Sequence, residues 1–315
     1  MAALKFQVRI SLVLIMCAIF YASAQAEEIQ PVNRMFVVGF AQDTLANDWR
    51  VAQVKEVAEV LAGYSNIKLI VKDAKGDPAV QAMHIESFAE QGVDVIITSP
   101  MSAAYLTPVI DSVYHKGTPV ILLDRGVNGS AYTTFIRPDN RPIAEKAAEL
   151  IAKKLKGNGR ILMLTGLPGA TPTIQRTDGF MKYVSEYPNL KVISKVANYL
   201  RSDALCKAGE LLDKGVKFDA IYAQSDSMAV GARMALKRHG LKPEDFIIVG
   251  IDYIKEAQEA IRNSEQYASF TYPTGGTQGA LLAVRLIKGE KVPKDIIVDS
   301  VMVTRENVKS VRPIF

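Results

Sequence analysis

Charged side chains follow several apolar runs of this sequence, and the clearest case is the pair Asp124 and Arg125. The pair comes directly after the unbroken apolar run 120–123 and precedes Gly126. Such a run is typical of a strand buried on both faces, and ligands of open α/β sheets bind beyond the carboxyl ends of strands. A carboxylate beside a guanidinium offers acceptors and donors together, which suits a polyhydroxylated ligand. The alternative is a simple salt bridge, and these two residues alone favour it.

Three polar or aromatic residues, Asn47, Trp49 and Arg50, follow the first apolar run of the chain in the same way. Trp49 is the only tryptophan. Its aromatic face can pack against the C–H patch of a sugar ring while its neighbours bind the hydroxyls. It can equally pack against its own domain, and the sequence does not decide between the two.

A Gly-rich segment at residues 165–170 precedes Arg176. A Gly-rich loop between a strand and a helix can hold a phosphate. This one matches neither the dinucleotide-binding fingerprint nor the P-loop pattern. A tight turn is therefore the better interpretation. Arg176 could point into a cleft, but by itself it is better explained as a solvent-exposed side chain.

Further candidates follow later apolar runs. Tyr199 and Ser225 each come shortly after a predicted strand, Asp252 follows another, and Tyr272 lies in a turn at 271–276. Asp226 has a competing explanation, because it can cap the helix that is predicted to begin after it.

The elements that must position these residues alternate between strand and helix patterns, which predicts an α/β fold with parallel sheets. Strand patterns occur at residues 35–41, 67–71, 93–98, 120–123, 133–136, 160–165, 192–196, 220–223, 246–251, 268–271 and 296–303. Amphipathic helix patterns lie between them, the last at residues 276–288. The patterns form two similar series with no low-complexity linker, so we expect two closely packed lobes with a cleft between them.

The amino terminus has the features of a secretory signal. Lys5 and Arg9 precede the apolar stretch 10–20, and Ala24-Gln25-Ala26 fits the cleavage pattern. That apolar stretch is shorter than the ~20 residues that span a bilayer. Removing residues 1–26 reduces the net charge from +5 to +3, with scattered basic residues, so nucleic acid is a poor candidate partner.

The sequence shows no arrangement of residues that is typical of metal binding or nucleophilic catalysis. His84, His115 and His239 fall in or at the ends of predicted helices, at no metal-ligand spacing. The only cysteine outside the signal segment, Cys206, is predicted to be a small buried hydrophobe. A glycosidase using two of Asp124, Asp226 and Asp252 stays open, although Arg125 should keep Asp124 ionised and a poor general acid.

Taken together, these segments resemble the type I periplasmic sugar-binding proteins, the family of ribose-binding protein. The resemblance covers roughly residues 35–303. It rests on the segments Asn47-Asp48-Trp49-Arg50, residues 119–125, Pro138-Asp139-Asn140, Arg176 ahead of Gly179-Phe180, residues 223–232 and residues 249–252. The Trp49-Arg50 pair looks most like the galactofuranose-binding branch.

The resemblance implies two Rossmann-like lobes with parallel sheets, joined by a three-crossing hinge. The first would contain residues 27–137 and about 273–303, and the second residues 138–272 and about 304–315. The ligand-binding residues would be Asn47, Trp49, Arg50, Asp124, Arg125, Arg176, Tyr199, Ser225, Asp252 and Tyr272.

The family also implies a periplasmic monomer that needs no cofactor and delivers a sugar-like ligand to the membrane permease of an ABC importer. A ligand-sensing partner of a membrane histidine kinase or chemoreceptor is the second hypothesis. An enzyme is the third, and a DNA-binding regulator is the weakest, because the signal segment occupies the place of a DNA-binding headpiece.

Overall fold

Strands and helices alternate along the part of the chain that the computed structural model describes, residues 34–315. The predicted signal segment lies outside these residues. The strands are β1 (Phe36–Gln42), β2 (Ile67–Asp73), β3 (Val95–Thr98), β4 (Val120–Leu123), β5 (Thr134–Pro138), β6 (Asn158–Thr165), β7 (Asn189–Val196), β8 (Ala220–Ala223), β9 (Ile247–Val249), β10 (Ser269–Phe270), β11 (Asp295–Val298) and β12 (Met302–Val303). The helices are α1 (Asp48–Leu61), α2 (Pro78–Glu90), α3 (Ala103–His115), α4 (Asn140–Lys154), α5 (Thr171–Val184), α6 (Arg201–Asp213), α7 (Asp226–Arg238), α8 (Lys255–Arg262) and α9 (Gly276–Ile287), with a 3₁₀ turn at Pro243–Asp245.

Two parallel sheets organise the structure. The first has six strands in the order β11-β5-β4-β3-β1-β2, and the second has four in the order β7-β6-β8-β9. Every pairing within these two sheets is parallel. The inner strands β3 and β4 are buried along their whole length, as expected where helices cover both faces of a sheet. The predicted α/β fold is confirmed.

Helices cover each sheet on both sides, so each sheet sits between two hydrophobic cores. In the first lobe, which we define by the six-stranded sheet, α1 and α9 pack on one face and α2 and α3 on the other. In the second lobe, defined by the four-stranded sheet, α4 and α5 cover one face and α6 and α7 the other.

The first sheet is completed by chain from far along the sequence. Strand β11 pairs with β5, and α9 packs against the same core as α1. Strand β12 and the residues after it pack with the second lobe, where Val303 and Val308 meet Tyr253 and Ile261. These strand pairings and packing contacts support the lobe boundaries inferred from the family resemblance, and those boundaries stay a prediction.

Two predictions about individual segments are wrong, and one helix was missed. The strand predicted at residues 296–303 is two strands: β11 belongs to the first sheet, and β12 pairs antiparallel with β10. Helix α8 was not predicted, because it has only eight residues and buries only three of them. Cys206 is exposed rather than buried, since the buried face of α6 is formed by residues such as Ala204 and Ala208.

Within residues 34–315, none of the helices has both the length and the apolar character that a membrane span requires.

Candidate functional site

A cavity of about 300 Å³ lies where the carboxyl ends of strands from both sheets face each other. This volume is at the lower end of the range of about 300–1,000 Å³ typical of small-molecule sites. All ten residues proposed from the sequence line it: Asn47, Trp49, Arg50, Asp124, Arg125, Arg176, Tyr199, Ser225, Asp252 and Tyr272. The structure therefore brings the predicted residues together, and their contact with a ligand stays a prediction.

Four charged residues of the first lobe form a buried charge cluster on one side of the cavity: Asp43, Arg50, Asp124 and Arg125. Arg50 donates to Asp124 Oδ2 at 2.6 Å, and Arg125 donates to Asp43 Oδ2 at 2.7 Å. Arg125 and its chain neighbour Asp124 are farther apart, at 3.8 Å. The salt bridge expected between neighbours in sequence is therefore a minor contact, because the main ion pairs join different strand ends. Each exposed fraction is 5% or less.

Asp124 is held in its ionised form by these neighbours. Burial alone would raise the pKa of Asp124, but the positive charges of Arg50, Arg125 and Arg176 outweigh burial and hold that pKa below its ordinary value. Tyr272 adds a hydrogen bond from its hydroxyl to Asp124 Oδ1 at 2.7 Å. Both carboxylate oxygens thus have a protein donor, which fixes the orientation of the group.

Trp49 joins the two lobes through its ring. It is 5% exposed and belongs to a hydrophobic core of the second lobe. Its indole N–H donates to the carbonyl of Tyr272 at 3.0 Å, and the Arg50 guanidinium lies 4.8 Å from its ring centroid. Trp49 therefore does not pack only within its own lobe, and its ring is a wall of the cavity.

Arg176 contributes from the second lobe and is buried rather than solvated, with 2% exposure. Its Nε donates to Asn140 Oδ1 at 2.9 Å, and its Nη1 donates to the carbonyl of Gln224. The guanidinium also lies 4.3 Å from the ring centroid of Tyr272. Asn140, Gln224 and Tyr272 together fix a planar group that faces the cavity.

The two lobes are joined by hydrogen bonds around the cavity. Asn47 Nδ2 donates to the carbonyl of Tyr199 at 2.7 Å, while Asn47 Oδ1 caps α1 by accepting from the N–H of Trp49. Arg201 at the start of α6 lies 3.6 Å from Asp48 of α1. These contacts hold the two lobes in register across the cleft.

Tyr199 occupies its position because of a glycine. A Cβ atom added to Gly166 would lie 1.9 Å from Tyr199 Cζ, so the ring lies directly on the glycine backbone. The hydroxyl of Tyr199 pairs with Thr173 at 2.7 Å. The Gly-rich segment at 165–170 thus serves as a packing surface for the Tyr199 ring. This agrees with the prediction that the segment is a tight turn rather than a phosphate-binding loop.

Backbone strain is concentrated at the site. Asp124, Tyr199 and Asp252 have φ values of 64°, 61° and 115°. Non-glycine residues with such values cost about 1–3 kcal/mol each and cluster at functional sites. The fold therefore holds these three lining residues in conformations that they would not adopt alone.

Buried acidic and basic side chains line the cavity together. Three aspartates, Asp43, Asp124 and Asp252, face three arginines, Arg50, Arg125 and Arg176. Among residues 34–315, Asp252 has no hydrogen-bond partner for its carboxylate, and burial raises its pKa well above the ordinary value although Arg176 opposes the shift. The arrangement therefore leaves the Asp252 carboxyl group available for a hydrogen bond with a ligand hydroxyl.

The predictions for the neighbouring residues Ser225 and Asp226 have different outcomes. Ser225 lines the cavity, but its hydroxyl also caps α7 by accepting from the N–H of Met228 at 3.3 Å. The prediction that Asp226 is the cap is wrong, because α7 begins one residue earlier than expected. Asp226 is instead fully buried behind the cavity, and burial raises its pKa to about 6, against hydrogen bonds from Ser269, Gln266 and Tyr253.

We expect the stability of the ligand-free protein to fall as pH rises from 5 to 8. Asp226 and Asp252 have folded-state pKa values above the unfolded value of 3.8, so the folded state holds protons that the unfolded state has lost. Their stabilising contribution is complete below the unfolded pKa and disappears as pH rises through the folded pKa. Asp226 alone should contribute about 1 kcal/mol to this difference.

Urea unfolding at pH 5 and pH 8 measures the effect, and Asp252→Asn should reduce the slope. Asp124 acts in the opposite direction, since its lowered pKa makes its contribution disappear only as pH falls below the chosen range. Equal stability at both pH values would contradict the expectation.

Sequence reasoning missed several polar residues around the cavity. Asp43 and Gln53 support Arg50, while Asn140 and Gln224 support Arg176. Asp43 could have been found, because it directly follows β1. Asn140 was named as part of a segment that supports the family resemblance, and its hydrogen bond with Arg176 became visible only in the structure.

Within residues 34–315, no group of histidine, cysteine, aspartate and glutamate side chains is arranged to hold a metal ion. The three histidines lie in α2, at the last position of α3 and just after α7, as predicted.

Comparison with known proteins identifies relatives over most of the chain. The sequence profile of the periplasmic binding protein domain matches residues 38–291. The xylitol-binding protein of Mycolicibacterium smegmatis is 30% identical over 263 residues, which cover 82% of this chain and 74% of that protein. The galactofuranose-binding protein of Escherichia coli is 31% identical over 245 residues, covering 74% and 76%.

A solved structure extends the likeness to three dimensions. The fructose binding periplasmic domain of a hybrid two component system is 35% identical with a TM-score of 0.81, and the match covers 87% of this chain and 92% of that one. With the profile match over residues 38–291, the chain belongs to the periplasmic binding protein family, among its type I sugar-binding members.

Proposed function

We propose that this chain is a periplasmic solute-binding protein that closes on a neutral, monosaccharide-like ligand and delivers it to an ABC importer. The observation that carries the proposal is the cavity between the lobes, which is lined by buried acidic, basic and aromatic side chains from both of them. A hydroxylated ligand both donates and accepts, so it can bind Asp252 and Arg176 at once. The relatives named for sugars and a polyol support this ligand class.

Location and state follow from the same proposal. The family implies an extracytoplasmic protein, and we propose that residues 1–26 are a cleaved secretory signal. We propose a monomer that is not an enzyme. Asp124 is ionised and has a donor on both oxygens, so it is a poor general acid. Wild-type protein should give no turnover of aryl glycosides.

Calorimetry on the chain recovered from the periplasmic fraction tests the binding function. The panel contains D-fructose, D-ribose, xylitol, L-arabinose and myo-inositol, with D-gluconate as a charged comparison. We expect saturable binding of at least one neutral member and weaker binding of D-gluconate. No heat with any neutral member would contradict the proposal, and an intact mass that includes residues 1–26 would contradict cleavage.

A second candidate function is ligand sensing for a membrane histidine kinase. The likeness to the binding domain of a hybrid two component system favours it. Deleting the gene distinguishes the two functions. Loss of uptake of a radiolabelled panel sugar supports import, whereas unchanged uptake with loss of sugar-induced transcription supports sensing.

An Asn47→Asp variant tests the closure of the lobes on the ligand. Aspartate is an equally good helix cap, but it replaces the Nδ2 donor with an oxygen that faces the carbonyl of Tyr199, now 2.7 Å from Nδ2. We expect affinity for a panel sugar to fall about tenfold, since an unpaired buried group costs roughly 1–3 kcal/mol.

The melting temperature of the ligand-free protein should stay within about 2 °C of wild type, because the cap is retained. Asn47→Ser is the matched control: it keeps a cap but is too short to reach Tyr199, so the loss should be smaller. Unchanged affinity in Asn47→Asp would show that this hydrogen bond does not contribute to closure.

A further inference from the structure

The backbone that carries Asp252 into the cavity is unusual over two consecutive residues. Asp252 has φ of 115° and Tyr253 has φ of 59°, both in a region that L residues rarely adopt. The segment follows β9, and the carboxylate of Asp252 has no hydrogen bond or ion pair of its own among residues 34–315. Something other than the side chain of Asp252 must therefore hold this segment.

Asp226 holds the segment on both sides of Asp252. Its backbone N–H donates to the carbonyl of Ile251 at 2.6 Å. Its carboxylate Oδ2 accepts from the N–H of Tyr253 at 2.7 Å. One residue at the start of α7 thus binds the peptide groups immediately before and after the strained residue.

The carboxylate of Asp226 must accept on both oxygens. Oδ1 accepts from Gln266 Nε2 at 2.7 Å, and Oδ2 also accepts from the hydroxyl of Ser269. Gln266 cannot reverse its amide, because its Oε1 accepts from Arg233 Nη1. Arg233 therefore donates to Gln266, and Gln266 donates to Asp226. An asparagine at position 226 that kept its oxygen toward Tyr253 would place its NH₂ group against the NH₂ group of Gln266.

The space beside this carboxylate is provided by Gly250. A Cβ atom at Gly250 would lie 1.9 Å from Asp226 Oδ1. The carboxylate thus occupies the volume that any other side chain at position 250 would fill. Asp226 and the segment 250–253 are consequently fitted to each other.

We infer that Asp226 is a positioning residue: without touching the ligand, it holds Asp252 in the strained conformation that presents the Asp252 carboxylate to the cavity. The inference rests on the proposed function, because it assigns Asp252 to ligand binding. Asp226 does not line the cavity, and its effect on binding must pass through Asp252.

Calorimetry with the tightest-binding neutral sugar of the panel, D-fructose in the first instance, tests this coupling. Asp226→Asn should lower affinity at least tenfold. The matched control is Asp219→Asn, which makes the same change just before β8. There the carboxylate accepts from the N–H of Arg160 at 2.7 Å, at the sheet edge opposite the cavity, and affinity should change less than twofold.

Two further variants separate positioning from general destabilisation. Adding Gln266→Glu to Asp226→Asn restores an acceptor opposite the new amide and keeps an acceptor for Arg233, so affinity should return to within threefold of wild type. In an Asp252→Ala background, Asp226→Asn should change affinity less than threefold. Failure of the rescue, or an equal tenfold loss in both backgrounds, would overturn the inference.

Hydrogen exchange of the Tyr253 amide provides a measurement that needs no ligand. Asp226→Asn should raise its exchange rate at least tenfold, whereas Asp219→Asn should leave it unchanged. If wild type binds no panel sugar, the proposed function fails while the exchange result still decides whether Asp226 holds the segment. If wild type binds and Asp226→Asn binds equally well, the inference alone fails.

Discussion

An Asp124→Asn variant should bind every sugar of the panel at least about a hundredfold more weakly than wild type and should unfold more easily. Asparagine keeps one acceptor oxygen, whereas Asp124 accepts from both Arg50 and Tyr272. The new amide group must then face either Arg50, which can only donate, or the Tyr272 hydroxyl, which would have to turn and accept instead of donating. Arg50 and Arg125 would then share only Asp43 as a counter-charge.

The size of this effect follows from burial. Removing one partner of a buried ion pair typically costs 3–5 kcal/mol, and Arg50 and Asp124 are 5% and 4% exposed. We therefore expect the free energy of unfolding to fall by about that amount in urea titrations. A hundredfold loss of affinity corresponds to about 2.7 kcal/mol.

The matched control is Asp178→Asn, which breaks an ion pair with Arg141 in which both side chains are about half exposed. Exposed pairs contribute about 0–1 kcal/mol, so both measurements should stay close to wild type. A further variant, Asp124→Asn with Arg50→Gln, removes the unpaired charge and should recover part of the lost stability. If Asp124→Asn itself matched wild type in affinity, the charge cluster would not be part of the site.

An Arg176→Lys variant should also lose at least about a hundredfold in affinity, although it keeps the positive charge. The guanidinium donates in two directions, to Asn140 and to the carbonyl of Gln224, and its Cζ lies 4.3 Å from the ring centroid of Tyr272. A lysine ammonium is a point charge that cannot reproduce a planar fork. The loss of affinity, about 2.7 kcal/mol of binding free energy, should therefore reflect the lost geometry of the guanidinium and not a lost charge.

Arg176→Met supplies the comparison, because it keeps an unbranched chain but removes the charge. Similar affinities for the lysine and methionine variants would agree with a geometric role. Arg141→Lys makes the same substitution at an exposed position and is the matched control, so its sugar affinity should stay close to that of wild type. Wild-type affinity in Arg176→Lys would show that the hydrogen bonds of Arg176 serve the protein and not the ligand.

The sequence allowed the strands and the residues that follow them to be predicted because both are local patterns. Strand β4 was predicted with its observed limits, and Asp77 and Pro78 begin α2 as cap and first residue. Residues just beyond strands then had to gather at the carboxyl edges of parallel sheets. The common cavity of the ten proposed residues follows from that rule together with the family resemblance.

What the sequence could not show is how those residues pair. Asp124 was expected to pair with its neighbour Arg125, yet its main partners are Arg50 and Tyr272, which lie 74 and 148 positions away. Pairing across such separations depends on strand order and on the angle between the lobes. No local pattern records either quantity.

The burial of Asp226 and the left-handed backbone at Asp252 were hidden for a different reason. When Ser-Asp precedes a helix, either residue can be the N-cap. The aspartate lies near solvent if it is the cap, and it can point into the core if the serine is the cap. In this chain Ser225 is the cap, so Asp226 points inward. Only the surroundings of the carboxylate, provided by Gly250 and Gln266, distinguish the two cases.

The pairing of β5 with β11 has a consequence for the order in which the chain acquires its structure. Residues 134–138 pair with β4 on one side, but their neighbour on the other side is residues 295–298. The second sheet needs only residues 158–249. Contacts between distant parts of a chain form slowly because they close long loops. During synthesis the second sheet can therefore be complete while the first still lacks an edge strand and α9. Both lobes line the cavity, but the four-stranded sheet needs no residue beyond 249, whereas the six-stranded sheet is complete only when residues 295–298 have joined it. Slow maturation of the protein should therefore be traced to the six-stranded sheet.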